Sequence, residues 1–134
     1  MKTVLALLTL LALGAPEPTE LGFDVLAGFD YEEGMELPKE VTDYDGKKVT
    51  IGGFMQREDA GDGPTEYFML VSAACGCEGT PLLNEVVFCA MPDGEAVDME
   101  VGSVAVTGTL YVSEETDEGI VVSLYTMDVE TFEP

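Results

Sequence analysis

The residues best suited to chemistry fall in one stretch, Glu66 to Met91, which reads EYFMLVSAACGCEGTPLLNEVVFCAM and holds all three cysteines of the chain. Cys75 and Cys77 flank Gly76, whose conformational freedom lets the backbone turn so that both sulfurs face one point. As thiolates, such a pair can hold a soft cation, Zn(II) or Cu(I). Cu(I) tolerates two sulfurs alone, whereas tetrahedral zinc wants four ligands. The nearest added donors are the carboxylates of Glu78 and Glu85. The expected ligand set is therefore Cys75, Cys77 and Glu78, with Gly76 and Gly79 as hinges, Pro81 shaping the loop and Asn84 fixing it by hydrogen bonds.

Two other chemistries are open to the same pair. A disulfide between Cys75 and Cys77 would close a tight, strained ring that is easily reduced, which suits thiol–disulfide exchange. An attacking thiolate needs a lowered pKa, normally supplied by a cation or a helix N-terminus. Here Glu78 is adjacent and the surrounding charge is negative, which favours the protonated thiol. A bound metal ion would dominate that field, so the field favours metal over nucleophile. Alternatively, the two sulfurs are joined or packed and simply pin the loop of a partner-docking domain. Cys89 stands apart. Five residues beyond Asn84, at ~3.3 Å per residue, it falls roughly 17 Å from the loop if the flanking runs form a hairpin. It reads as a small core residue.

Composition removes most other functions. The chain has 134 residues, 5 Lys and Arg against 27 Asp and Glu, a formal charge of −22, and no histidine. So acidic a surface repels nucleic acid and anionic lipid and attracts cations. Lys47, Lys48 and Arg57 cannot supply the basic groove that single-strand binding needs. A serine nucleophile would lack a histidine base. No phosphate-cradling glycine loop is present. Glu114, Glu115, Asp117 and Glu118 lack the register of a calcium loop and read as a solvated hairpin tip.

The elements that must position the cysteine loop are strands. Its flanks, Tyr67–Ala74 and Val86–Met91, are apolar runs of buried-strand length. Upstream, Lys47–Gln56 is a strand with Val49 and Ile51 on one face, interrupted by Gly52-Gly53, which suggests a bulge or sharp bend. Downstream, Ser103–Val112 puts Val104, Val106, Gly108, Leu110 and Val112 on one face. Ser113–Gly119 reads as a charged hairpin loop and Ile120–Met127 as the last strand. Leu37–Gly46 reads as a helical turn or two, opened by Pro38 and closed by Gly46. Leu21–Phe29 could dock as a short strand or turn. The chain opens MKTVLALLTLLALGA, with one lysine, an apolar run and small residues, which reads as a cleaved secretory signal. The run is too short to span a bilayer, and no lipid-anchoring cysteine follows it.

At the level of the whole chain, these pieces resemble a domain-of-unknown-function family of exported bacterial proteins with an OB-like barrel. The matching motifs are YEEGMELPKEV, DGKKVTIGGFM, EYFMLVSAACGCEGTPLLNEVVF, SVAVTGTLYV and SLYTMDVE, from about Phe29 to Glu130. In that family the loop holds a cysteine, then a cysteine or histidine, then prolines and an asparagine. Cys75, Cys77, Pro81 and Asn84 occupy those positions, with fewer prolines and no histidine. Some members look to be encoded beside ABC-type exporters under zinc-responsive control. The resemblance thus implies a metal-linked or envelope role.

The expectation is a mostly β protein: a small five-stranded OB-like antiparallel barrel with one short helix, or else a small β-sandwich. Residues 1–14 would be the signal, 15–28 a mobile lead-in, 29–130 the barrel and 131–134 a tail. The mature chain, with no membrane span, would be secreted or periplasmic. Its function would be that of a non-catalytic binding or accessory module. Its ligand would be Zn or Cu(I), and an envelope or ABC-transporter protein its partner.

Overall fold

The computed structural model describes residues 17–72 and 81–134. In chain order the elements are β1 (Thr19–Glu20), α1 (Phe23–Leu26), α2 (Lys39–Thr42), β2 (Lys47–Arg57), β3 (Tyr67–Val71), a 3-10 turn (Leu83–Glu85), β4 (Val86–Ala90), β5 (Ser103–Asp117) and β6 (Ile120–Glu133). The strands lie in the order β1-β2-β3-β4-β6-β5, and β2 also pairs with β5. Five strands therefore close a ring of hydrogen bonds, β2-β3-β4-β6-β5 and back to β2. This is the mostly β, barrel-like arrangement that the strand count and glycine placement suggested.

Alternation builds the interior. Along β5, Val104, Val106, Gly108, Leu110 and Val112 are buried, while Ser103, Thr107 and Tyr111 are not. Along β2 the buried set is Val49, Ile51, Gly53 and Met55. These faces meet Phe68, Leu70, Val87, Leu124 and Met127 in one core. Each such side chain, fully buried, contributes roughly 1.5–3 kcal/mol relative to exposure.

β2 is the hinge of the ring. Lys47–Phe54 pairs with β5, while Phe54–Arg57 pairs with β3. The edge that β3 leaves free at Val49 and Thr50 is taken by β1, in parallel. The pairing register runs through Gly52-Gly53 without the bulge expected there. Gly53 serves close approach instead. A Cβ at that position would lie 2.8 Å from the Val71 carbonyl oxygen and 3.0 Å from Leu70 Cγ. Gly108 is equally constrained, because a Cβ there would fall onto the Asp128 carbonyl, beside a register shift between β5 and β6.

Several expectations change. The ring is mixed rather than antiparallel, since β4 and β6 run parallel. β6 is committed by its hairpin with β5 on one edge, and only its other edge is left to reach β4. Among the described residues there are two short α-helices, not one. Phe23–Leu26 is helical because the Gly22 carbonyl accepts from the amides of Val25 and Leu26, a turn that drives Leu26 into the core. From Thr19 onward, the segment assigned to the lead-in is seated on the ring, with Leu21 also buried.

The helix expected within Leu37–Gly46 is α2, preceded by Pro38 and followed by Gly46 at φ +76°. The charged loop Ser113–Gly119 is mostly strand. β5 continues to Asp117 and turns over Glu118 (φ 52°) and Gly119 (φ 82°), a pair of positive φ angles that suits a tight hairpin turn. Register shifts between Val112 and Thr116 absorb the mismatch, and the acidic side chains stand largely in water, so they do not oppose pairing. The residues expected as a tail also pair. β6 runs to Glu133, and the Phe132 ring meets Phe68 edge-on at 6.0 Å. β3 ends at Val71, and Ala73 and Ala74, which the sequence assigned to it, lie outside the described residues.

Candidate functional site

The cysteine loop springs from two adjacent core strands. Val71, the last residue of β3, pairs with Val86, the first of β4, so the two ends of the loop are fixed side by side. Cys75, Gly76, Cys77, Glu78 and Gly79 lie outside the described residues. Of the residues singled out in the sequence, Pro81, Asn84 and Cys89 are described, as is Glu85.

The returning end of the loop is well fastened. Pro81 is half-buried and Leu82 is exposed. The Leu82 amide donates to Glu85 Oε1 at 2.9 Å, and the Glu85 amide donates to the Leu82 carbonyl at 2.9 Å. Inside this small turn Asn84 is buried, and its Nδ2 donates to the Phe29 carbonyl oxygen at 2.8 Å. Asn84 thus ties the base of the loop to the segment that leads out of α1. Its Oδ1 is buried without a hydrogen-bond partner among the described residues, the kind of group a buried water satisfies.

Cys89 is placed as its spacing suggested. It stands opposite Phe68, three residues into β4, and is buried. Its Sγ lies 3.7 Å from the Val87 carbonyl oxygen. Burial, and then the nearby charge of Glu58, push its thiol well above the ordinary range. A protonated, enclosed thiol is a packing group, unsuited to ligation. Among the described residues, no group of three or more Cys, Asp or Glu side chains is arranged to hold a metal ion.

The structure also gives work to residues that the sequence left unassigned. Glu114, read as part of a solvated tip, accepts from the Tyr31 hydroxyl at 2.7 Å and from the Gly34 amide at 3.1 Å. These contacts close over about 80 residues of chain, a separation no local pattern encodes. Burial, then the hydrogen bond and charge of Glu114, hold the Tyr31 pKa up at about 12. Asp45 caps the strand edge, its Oδ1 accepting from the Val112 amide at 2.8 Å. Three of the described cations are paired: Lys39 with Asp43, Lys48 with Glu130, and Arg57 with Asp59. No described helix is long and apolar enough to cross a membrane.

The fold is similar to that of a solved protein from Pseudomonas aeruginosa PAO1, described as a DUF3299 family protein. The TM-score is 0.65 at 19% identity, over 89% of this chain and 97% of that one. No curated protein sequence matches the chain. The family model described as "Protein of unknown function (DUF3299)" matches residues 26–134. That span takes in the closed ring, the cysteine loop and both anchoring contacts of its base, and on it the chain belongs to the DUF3299 family.

Proposed function

We propose that the protein is an exported, non-catalytic binding or accessory module that takes a soft metal ion, Cu(I) or Zn(II), on Cys75 and Cys77. Glu78 adds an oxygen donor where zinc is bound. Support for the reading comes from the pairing of two cysteines around one glycine, in a chain whose third cysteine is turned into the core. The observation that carries it is Asn84. Seven residues after Cys77, it fixes the returning end of the loop to the Phe29 carbonyl. The acidic surface raises the local concentration of any cation. Met1–Gly14 acts as the export signal, which delivers the module to the cell envelope, where an ABC-type transporter is its partner.

Metal analysis of the full chain, purified anaerobically under reductant and titrated with Cu(I) or Zn(II) against a competing chelator, tests the metal site. About one equivalent should bind per chain, as expected for a two-thiolate site. The double variant Cys75→Ser/Cys77→Ser should lose it and Cys89→Ser should keep it. Sub-stoichiometric metal on the unmodified chain, or retention by the double variant, overturns the reading. N-terminal sequencing of protein recovered from the producing cell's envelope or medium should begin at Ala15.

A further inference from the structure

The outer surface of the ring carries a face of aromatic and apolar side chains interrupted by Asp128, Thr126 and Thr109. Strand alternation turns the residues between the buried positions outward, and the pairing register aligns them in two cross-strand rows. One row runs Tyr67, Ala90, Asp128, Thr109, and the other runs Met69, Phe88, Thr126, Tyr111. Residues directly opposite on one sheet face sit about 5 Å apart at Cβ, so the rows make one continuous patch across β3, β4, β6 and β5. Tyr67 is 58% exposed and Tyr111 42%, and Met69, Phe88 and Ala90 are partly exposed.

The rim of this face is mostly acidic. Exposed Asp128 lies within it, Glu66 precedes Tyr67, and Glu115 and Asp117 continue β5 beyond Tyr111. Lys48, opposite Thr109 at the end of one row, is neutralised by Glu130 at 2.7 Å. Aromatic rings bordered by carboxylates suit a segment that brings both apolar side chains and ammonium or guanidinium groups, since cations are drawn to ring faces as well as to carboxylates. A second copy of the chain would bring a formal charge of −22 against the same sign, and like charges so juxtaposed disfavour pairing.

We propose that this outer face of β3, β4, β6 and β5 docks a cationic, apolar-bearing segment of a partner protein. The site is separate from the proposed metal pair and does not need it. The test uses the mature chain carrying Cys75→Ser/Cys77→Ser, so that loss of the metal reading leaves the result intact. The probe is a fluorescein-labelled peptide alternating lysine and leucine. The comparison peptides alternate lysine with serine and glutamate with leucine. The lysine–leucine peptide should bind most tightly, and Tyr67→Ser/Tyr111→Ser should weaken it about tenfold, as for loss of aromatic anchors. Both tyrosines are exposed, so this variant should keep its circular dichroism spectrum and melting temperature. Val101→Ser, on an exposed loop position, should leave binding unchanged. Equal binding of the lysine–serine peptide, an unchanged affinity in the tyrosine variant, or no binding at all would overturn the proposal. So would sedimentation showing a dimer of the chain that Tyr67→Ser/Tyr111→Ser abolishes.

Discussion

The Tyr125 hydroxyl donates to the Leu26 carbonyl oxygen at 2.7 Å, across 99 residues of sequence and inside the core. Tyr125 is fully buried, and burial raises its pKa well above the ordinary value. The bond satisfies a carbonyl near the end of α1 and fastens the N-terminal segment to β6. Removing the hydroxyl leaves that carbonyl buried and unpaired. Tyr125→Phe should therefore lose about 1–3 kcal/mol of stability, measured by urea unfolding. A change below about 0.5 kcal/mol, within the range of a neutral surface substitution, would show that water replaces the bond.

Tyr31 and Glu114 give a pH-dependent contact. The folded protein holds the Tyr31 proton up to about pH 12, against an ordinary value of 10.0. The protonated hydroxyl is the donor, so the contribution of this contact is full below pH 10 and is lost as the pH rises through 12. A spectrophotometric titration should show Tyr31 and Tyr125 ionising late, and Glu114→Gln should lower only the Tyr31 step, in part, because burial still raises it. If neither late step moves in the variant, Glu114 contributes nothing to the Tyr31 shift and burial alone accounts for it.

Gly52 and Gly53 are adjacent in sequence but should respond oppositely to alanine. At Gly53 the added methyl would lie within 3.1 Å of Val71, Leu70 and Phe23 atoms, while at Gly52 the nearest is the Val104 carbonyl oxygen at 3.8 Å. Gly53→Ala should destabilise by about 1–3 kcal/mol through overpacking. Gly52→Ala should be neutral or stabilise by up to about 1 kcal/mol, by restricting the unfolded chain. Thermal melts of the two variants would decide it, and equal effects would refute the packing argument.

Cys89 should be silent in the folded state. With Cys75 and Cys77 replaced by serine, an aromatic disulfide reagent should find no reactive thiol in native protein and one after denaturation, because burial holds the thiol protonated and closed off. Rapid native labelling would mean that β4 opens readily at this position.

Much of this architecture is legible in the chain. The alternation of Val104 to Val112 specifies its face because side chains along a strand have a period of two, and only one choice buries the apolar set. The same holds for Val49 and Ile51. Cys89 is readable because strand length alone carries it away from the loop. Pro38 and Gly46 mark the short helix α2. Less legible is what charge conceals. Ser113–Asp117 looks like loop because its residues are poor strand formers, yet pairing with β6 and exposure to water make strand acceptable there. The end of β6 looks like tail because the burial of Phe132 depends on Phe68, far away in sequence.

By itself the sequence determined which faces are apolar, where the cysteines cluster, and that the surface is strongly acidic. Those properties follow from residue type and local period. Tertiary structure alone decided that β6 runs parallel to β4, that Asn84 reaches Phe29, that Glu114 holds Tyr31, and that Tyr67, Met69, Phe88 and Tyr111 share one outer face with Asp128 and Thr126 between them. Each of these joins residues many positions apart, and which strand edges are left free to meet is settled only when the whole ring closes.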